Sequence, residues 1–459
     1  MPELTADVAV VGGGPAGYSA AVRASKLGAS VILIEKNIPG GACLNRACIP
    51  TKTLLHSLEL LRSINNASSF GIDAGPANIN LAGLREYKNK IVSLMNGGLR
   101  QTLQQSGVSV ISGSASLRDL NNLKIIQNDG ITETLNARHI IVASGSVPCR
   151  LEFPGFQGTD ILYSSDVLEL KHIPASLIIV GGGVVGVELG TIMSGLGTSV
   201  SIIELTPRIL SCEDPETALV FEQVLRKDGV KIYPDSKIIR LETLGSANLI
   251  HFTCAGTENK LEAESVCVAV GQKPFIEGLG LAGYGVKTGP RGIAVDTHMR
   301  TNVPSVFAAG DVTGNSMLAY VAMAEGRIAA ENALGLDTEM EYTAVPRCIY
   351  GHVELASVGL TESQAIAANI KVKVLRSRMA ANASAAILGE RRGLIKIVAT
   401  EDGKNILGVH IAGTGASNLI AECALALKLG ASVGDLERTL HPHPTLSESI
   451  GDAALNWNN

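Results

Sequence analysis

The sequence predicts an α/β protein with two Rossmann-like dinucleotide-binding domains and a C-terminal α+β domain. Three observations carry this. "VVGGGPAGYSAAVRASKLGASVILIEK" (10–36) aligns without gaps to "IVGGGVVGVELGTIMSGLGTSVSIIEL" (179–205) at an offset of 169 residues. Three later stretches, "ARHIIVASGSVP" (137–148), "ESVCVAVGQKP" (264–274) and "VPSVFAAGDVTG" (303–314), read as further strands of the same domains. Beyond "EYTAVPRC" the pattern changes to strand-like runs such as "GLIKIVA" and "ILGVHIAG" around the helix-like "ASNLIAECALALKLG", with no glycine fingerprint. The expected layout is a first dinucleotide domain over 1–150, a second inserted over 151–270, a return to the first over 271–340, and a separate domain over 341–459.

Each copy of the repeat reads as an apolar strand, a G-x-G-x-x-G turn, a helix, a glycine stop and a second apolar strand ending in an acid. Gly12, Gly14 and Gly17 correspond to Gly181, Gly183 and Gly186, and Glu35 to Glu204. The first glycine allows the tight turn, the second lets the backbone approach a pyrophosphate, and the third lets helix and strand pack closely. The helix N-terminus offers free N–H groups and partial positive charge to the phosphates. The acid can accept hydrogen bonds from ribose hydroxyls. Glu204 would repel a 2′-phosphate and is followed by Leu205, Thr206 and Pro207 rather than a basic residue, which favours NAD over NADP in the second site. Ser144 with Gly145, and Gly271, close two of the later strands and are candidate cofactor contacts. Asp311, at the tip of a third, is placed to hold hydroxyls of a ribityl chain.

Composition narrows the class. At 459 residues the chain exceeds a single core. Its 46% hydrophobic and 18% charged residues belong to a globular protein, and a net charge of −5 without a basic run argues against nucleic acid. No apolar run reaches the ~18 residues of a membrane helix. The first strand begins almost at residue 1, leaving no room for a signal or transit segment, so a cytoplasmic location is expected.

Of eight cysteines, two lie close together, in "GGACLNRACIPTK" (40–52). Positions i and i+5 of a regular helix are separated by ~7.5 Å of rise, more than a disulfide usually spans. If Cys43 and Cys48 are bridged, the helix must be distorted between them or start near Cys48. A bridge closing so short a loop is easy to reduce, which favours a redox role. A zinc half-site would want a second Cys or His pair at ligand spacing, and none is evident, so no metal is expected. Two inert thiols in so small-residue a segment make poor core. Lys52, one turn after Cys48, can stabilise a thiolate. Glu188 and His56 have ordinary structural readings, near a helix N-terminus and on a helix surface. Thiol–disulfide exchange also needs a proton acceptor. "LHPHPTLSES" (440–449) offers His443 and His441, between which spacing does not choose. Thr445-x-x-Glu448 reads as a capping box, while Glu448 is also placed to orient an imidazole.

Taken in order, these motifs resemble the flavin disulfide reductase family over nearly the whole chain, and within it the members that oxidise dihydrolipoyl groups. Glutathione-reducing members differ around both motifs and prefer NADP. Mercury-reducing members carry a C-terminal cysteine pair, whereas the last cysteine here is Cys423. The resemblance implies FAD on the first turn and NAD on the second. It makes Cys43 the thiol that meets substrate, and Cys48 the charge-transfer thiolate at the flavin. Lys52 approaches the flavin and pairs with Glu188. His443, immediately before P-T, is the base and Glu448 its partner. The C-terminal domain is implied to dimerise, giving a homodimer in which the base comes from the other subunit. The expected partner is a lipoylated protein of a 2-oxo acid dehydrogenase complex or of the glycine cleavage system. A reductase of another low-molecular-weight disulfide and a non-catalytic flavin-containing subunit are the alternatives. Ala47, Tyr320, Val353 and Gln272 depart from the family pattern, bearing on flavin potential and nucleotide fit rather than reaction class.

Overall fold

A computed structural model describes residues 4–156, 161–245 and 247–458. The chain divides into two compact units: 1–53, 82–149 and 271–341 form one; 54–81, 150–270 and 342–459 form the other.

In the first unit the near-continuous apolar runs become a parallel sheet. Its strands run in the order Ser109–Leu117, Val31–Glu35, Leu4–Val11, Thr132–Val142 and Val306–Ala308, with an antiparallel excursion through Asn122–Gln127. Both faces are covered, as runs apolar at every position require. Val8, Val10, Leu33 and Ile141 pack against the alanine-rich helices Pro15–Lys26 and Ala319–Ala333; Ala9, Val11, Ile34 and Val142 face a second cluster that includes Leu123, Ile125 and Ile293. The alanines serve close approach: a Cβ on Gly326 would sit 2.1 Å from the Ala16 carbonyl oxygen.

The second unit holds the repeat. Its parallel sheet runs Lys231–Tyr233, Ser199–Ile203, Ser176–Val180, Ser265–Val268, Ile161–Leu162. Val180 pairs with Ile203 as Val11 pairs with Ile34 in the first unit, so the sequence offset survives as strand register. A three-stranded antiparallel sheet (236–263) covers one face through Ile250 and Phe252.

The rest of this unit is a five-stranded antiparallel sheet in the order Arg347–Ile349, Glu354–Gly359, Ile406–Gly413, Leu394–Thr400, Val372–Arg378. One face is apolar: Ile395, Ile397, Val409 and Ile411 meet the helices Ala416–Lys428 and Glu448–Leu455. The other face carries a polar row, one residue per strand in register: Arg347, Ser357, His410, Lys396 and Arg376. Facing it is the acidic start of the helix Pro215–Lys227. Glu213 accepts from Arg347 and Ser357, and the N-capping residue Asp214 lies 2.9 Å from Lys396 Nζ. Glu216 takes Arg376 through both oxygens and Lys396 at 2.6 Å, and Glu362 joins at 2.9 Å. Lys396 is 2% exposed. Burial opposes its charge, but the three carboxylates outweigh it and raise its pKa.

Lys396→Ala leaves buried Asp214 without its cation and is expected to cost about 3–5 kcal/mol, read from urea unfolding of the intact protein. Glu216, held at about 2 by Arg376 and then Lys396 against an ordinary 4.5, contributes stability that is full above the ordinary value. That contribution is lost as pH falls toward about 2. An E216Q variant is expected to show a shallower loss of melting temperature over that window.

Candidate active site

The two glycine turns separate the three glycines by physical cause. Gly12 and Gly181 have φ of 103° and 111°, the left-handed region that disfavours side chains, and Cβ atoms there would lie 2.3 and 2.4 Å from the Ala143 and Ala269 carbonyl oxygens. Gly17 and Gly186 bring their helices onto the strands: a Cβ would sit 1.8 or 1.9 Å from the Gly12 or Gly181 oxygen. Gly14 and Gly183, the N-caps, are extended (φ −71° and −74°), a conformation any residue adopts. A Cβ on Gly183 would meet nothing within 4 Å, and one on Gly14 only the Gly41 Cα at 3.7 Å. The fold alone does not require glycine at these two positions. A group approaching the helix N-terminus does, which is the fit expected for a pyrophosphate.

The acids are tied into the same turns. Glu35 accepts from Gly13 N at 2.7 Å and Asn37 N at 2.7 Å; Glu204 accepts from Gly182 N at 2.6 Å and Thr206 N at 2.7 Å. Both Glu35 oxygens and Glu204 Oε2 accept one bond each and retain lone-pair capacity for a ribose hydroxyl, whereas Glu204 Oε1 accepts from both the amide and the hydroxyl of Thr206.

The redox segment is laid directly on the first turn. Gly40 N donates to Gly13 O at 2.7 Å, and a Cβ on Gly41 would lie 2.7 Å from the Gly14 Cα. The helix Gly41–Arg46 stops at Ala47 (φ −134°, ψ −95°), and a new one, Cys48–Asn65, begins at the second cysteine. The expected break therefore falls between the two sulfurs. Ala47, one of the departures from the family pattern, is the residue at which the chain breaks between the two helices. Asn45 fixes the loop by donating to Gly41 O at 2.9 Å and accepting from buried Asn96 at 2.7 Å. Cys43 and Cys48 stand as thiols hydrogen-bonded to one another. That bond, then burial and the Cys48 charge, push the Cys43 thiol well up, while Lys52 pulls it down. The Asp311 charge adds a smaller upward push on Cys43. Burial raises its own carboxyl, and Ser146 Oγ donates to it at 2.5 Å. Ser144 Oγ donates to the Phe275 carbonyl at 2.6 Å, and Gly145 and Gly271 have φ of 75° and 106°, closing the strands as the sequence suggests. Tyr320 is the second residue of the helix Ala319–Ala333 and is exposed. Gln272 pairs across to Pro148.

In the second unit Glu188 is 4% exposed, and its Oε1 accepts from the Tyr350 amide at 3.1 Å. Val353 is buried. The "HPHPTLSES" turn resolves its two histidines. His443 Nδ1 lies 2.9 Å from Glu448 Oε1 with its side chain 74% exposed, whereas His441 pairs with Glu422 at 3.0 Å and is 8% exposed. The His443–Pro444 bond is cis. The capping box is corrected: the helix begins at Glu448 with Ser447 as N-cap, and the Thr445 hydroxyl turns to Pro442 O and Ser447 Oγ. Only the return bond forms, Thr445 N donating to Glu448 Oε2 at 2.8 Å. That bond, then His443, lowers the Glu448 carboxyl. His56 is a surface residue 3.3 Å from Glu59.

Sequence reasoning missed Asn45 with Asn96, Ser146, Tyr350 and Glu422. Their partners lie 19 to 165 positions away, beyond any local pattern. Among the described residues no three His, Cys, Asp or Glu side chains are grouped to hold a metal, and no helix is long and apolar enough to cross a membrane.

Comparison with known proteins places residues 6–326 in the pyridine nucleotide-disulphide oxidoreductase model and 345–454 in that family's dimerisation domain. A dihydrolipoyl dehydrogenase of Bacillus subtilis is 39% identical over 98% of both chains, and one of Thermus scotoductus is 40% identical over 98% of this chain and 97% of its own. Among solved structures, LpdA of Mycobacterium tuberculosis superposes with TM-score 0.90 at 29% identity over 99% of both chains. The HOCl-induced flavoprotein disulfide reductase RclA of Escherichia coli shares the fold at 0.89 and 24%, over 99% of this chain and 100% of its own.

Gly183→Ala tests the open cradle. It is expected to leave the melting temperature within about 2 °C while raising the KM for NADH about tenfold or more, a loss of about 1.4 kcal/mol of binding, measured with an artificial electron acceptor.

Proposed function

The chain belongs to the pyridine nucleotide-disulphide oxidoreductase family, and on that premise we propose that it is a dihydrolipoyl dehydrogenase, oxidising protein-bound dihydrolipoyl groups with NAD⁺. The observation that carries this reading is the pair of thiols set on the first glycine turn beside Lys52, in a chain that also holds an imidazole–carboxylate pair at 2.9 Å. Full-length likeness to dihydrolipoyl dehydrogenases supports it.

In the oxidised enzyme Cys43 and Cys48 are joined. A substrate thiolate attacks the Cys43 sulfur, breaking that bond, forming a mixed disulfide at Cys43 and leaving Cys48 as thiolate. His443 takes the proton of the second substrate thiol, held for this by Glu448 on Nδ1, so Nε2 is the accepting nitrogen. The second thiolate attacks the substrate sulfur of the mixed disulfide, breaking its bond to Cys43 and closing the lipoyl ring, and the released Cys43 sulfur takes the proton back from His443 Nε2. Lys52 favours the thiolate form of the pair. FAD, bound on the Gly12–Gly17 turn with Glu35, supplies the electron transfer that links the dithiol to NAD⁺. Gly181, Gly183, Gly186 and Glu204 bind that NAD⁺, with Glu204 disfavouring a 2′-phosphate. Ser144, Gly145, Asp311 and Gly271 complete the nucleotide contacts. Glu188, whose Oε1 accepts from the Tyr350 amide, is a further site residue on the family pattern.

The domains are 1–150 with 271–340 for FAD, 151–270 for NAD and 341–459 for dimerisation. The enzyme works as a cytoplasmic homodimer, each active site taking its base from the second copy. Its partner is the lipoylated protein of a 2-oxo acid dehydrogenase complex or of the glycine cleavage system.

Anaerobic addition of dihydrolipoamide is expected to bleach the visible flavin absorbance, and NAD⁺ to restore it. Cys48→Ser is expected to abolish turnover. A flavin reduced by NADH but indifferent to dihydrolipoamide would transfer the reading to another small disulfide.

A further inference from the structure

The turn 440–449 carries two imidazoles, each with its own carboxylate, and the proposed reaction uses only one. His441 is too enclosed to exchange protons with a substrate arriving from solvent, at 8% exposure. Its Nε2 lies 3.0 Å from Glu422 Oε1, on the helix Ala416–Lys428. A carboxylate only accepts, so in the neutral ring Nε2 carries the proton and Nδ1 is bare. Nδ1 is turned to the helix Glu448–Leu455. There the ring lies against Gly451: a Cβ on residue 451 would come within 3.1 Å of Nδ1 and 3.4 Å of Cε1. Gly451 follows Glu448 by three positions, so both lie on one side of that helix. The His441 ring thus spans two helices and seats under the turn that presents Glu448. Glu422 faces the ring from one helix, and the ring acts on the Glu448 charge of the other. Its positive form lowers the Glu448 carboxyl, adding to the larger effects of the Thr445 amide and His443.

We propose that His441, held by Glu422 and seated on Gly451, is a positioning residue for the base: it fixes the helix whose first residue, Glu448, orients His443. This rests on the reading of His443 as the base of thiol–disulfide exchange. His441 touches neither substrate nor cofactor in this scheme and acts only through Glu448.

The test compares wild type, H441A, E422A and E422Q as holoenzymes. In H441A, kcat for oxidation of dihydrolipoamide is expected to fall about tenfold, a fraction of what an ångström of misplacement costs a catalytic group, with the KM for NAD⁺ unchanged. Reduction of ferricyanide by NADH needs no thiol base and is expected to stay within about twofold of wild type, as base loss affects only the step that uses it. E422Q keeps an oxygen to accept from Nε2 and is expected to recover most of the activity lost in E422A. An equal fall in both reactions, no fall in either, or an E422Q as impaired as E422A overturns the proposal. A second readout needs no turnover. The ¹³Cε1 ring signal of His443, identified by its loss in H443Q, is expected to change its titration midpoint in H441A; an unmoved midpoint overturns the positioning role. A wild type unable to oxidise dihydrolipoamide would count against the proposed function alone, and the ring signal would still decide this inference.

Discussion

The structure depends on two backbone approaches that no side chain survives. Where Gly17 would carry a Cβ, the Gly12 oxygen is 1.8 Å away; at Gly186 the Gly181 oxygen is 1.9 Å away. These contacts draw each first helix onto its sheet with its N-terminus at the turn, where unpaired N–H groups and the helix dipole favour an anion. Everything at the first site builds on that placement. The redox segment bonds to the turn through Gly40 and Gly13, and the bare Gly41 lets it lie against Gly14. With no side chain on Gly41 to hold the segment off, Cys43 is brought to the dinucleotide turn.

The second requirement is that two sulfurs five positions apart meet. A continuous helix would set them too far apart along its axis. Interrupting it at Ala47 solves this, and the restart at Cys48 sets Lys52 one turn along the new helix. The electrostatics follow from the same geometry. Two sulfurs in hydrogen-bonding contact share their protons as a pair, so the second proton of the dithiol is hard to remove while Lys52 favours one negative charge.

What the sequence revealed and what it hid divide along one physical line. The repeat, the glycine roles and the helix break are legible because each is written in a short run of neighbouring residues. The apolar run of "GLIKIVA" also marks a strand, but pattern alone assigns its central lysine to solvent. Lys396 is instead part of a five-strand polar row that meets Asp214 and Glu216 about 180 positions earlier. A polar row across a sheet is assembled by register, and register is invisible until the strands are ordered. The pairings of Asn45 with Asn96 and of Asp311 with Ser146 are hidden for the same reason. The capping box misleads for a different one. T-x-x-E is the right pattern, but the helix starts at Glu448 itself, so Ser447 and not Thr445 becomes its N-cap. The Thr445 hydroxyl is then left to nearer partners within the turn.

Glu448 shows why a structural and a chemical reading of one residue need not compete. A carboxylate has two oxygens, and here they are divided: Oε2 accepts from the Thr445 amide and Oε1 meets His443 Nδ1. The first bond ties the carboxylate to the backbone of the turn. It is also the largest cause of the lowered Glu448 pKa, and that has a chemical consequence. A carboxyl held below its ordinary range stays ionised throughout the interval around ~6.5 in which an imidazole exchanges its proton. The charge that meets His443 Nδ1 is therefore present across that whole interval. The bond that shapes the turn is also the one that most favours the charge facing His443.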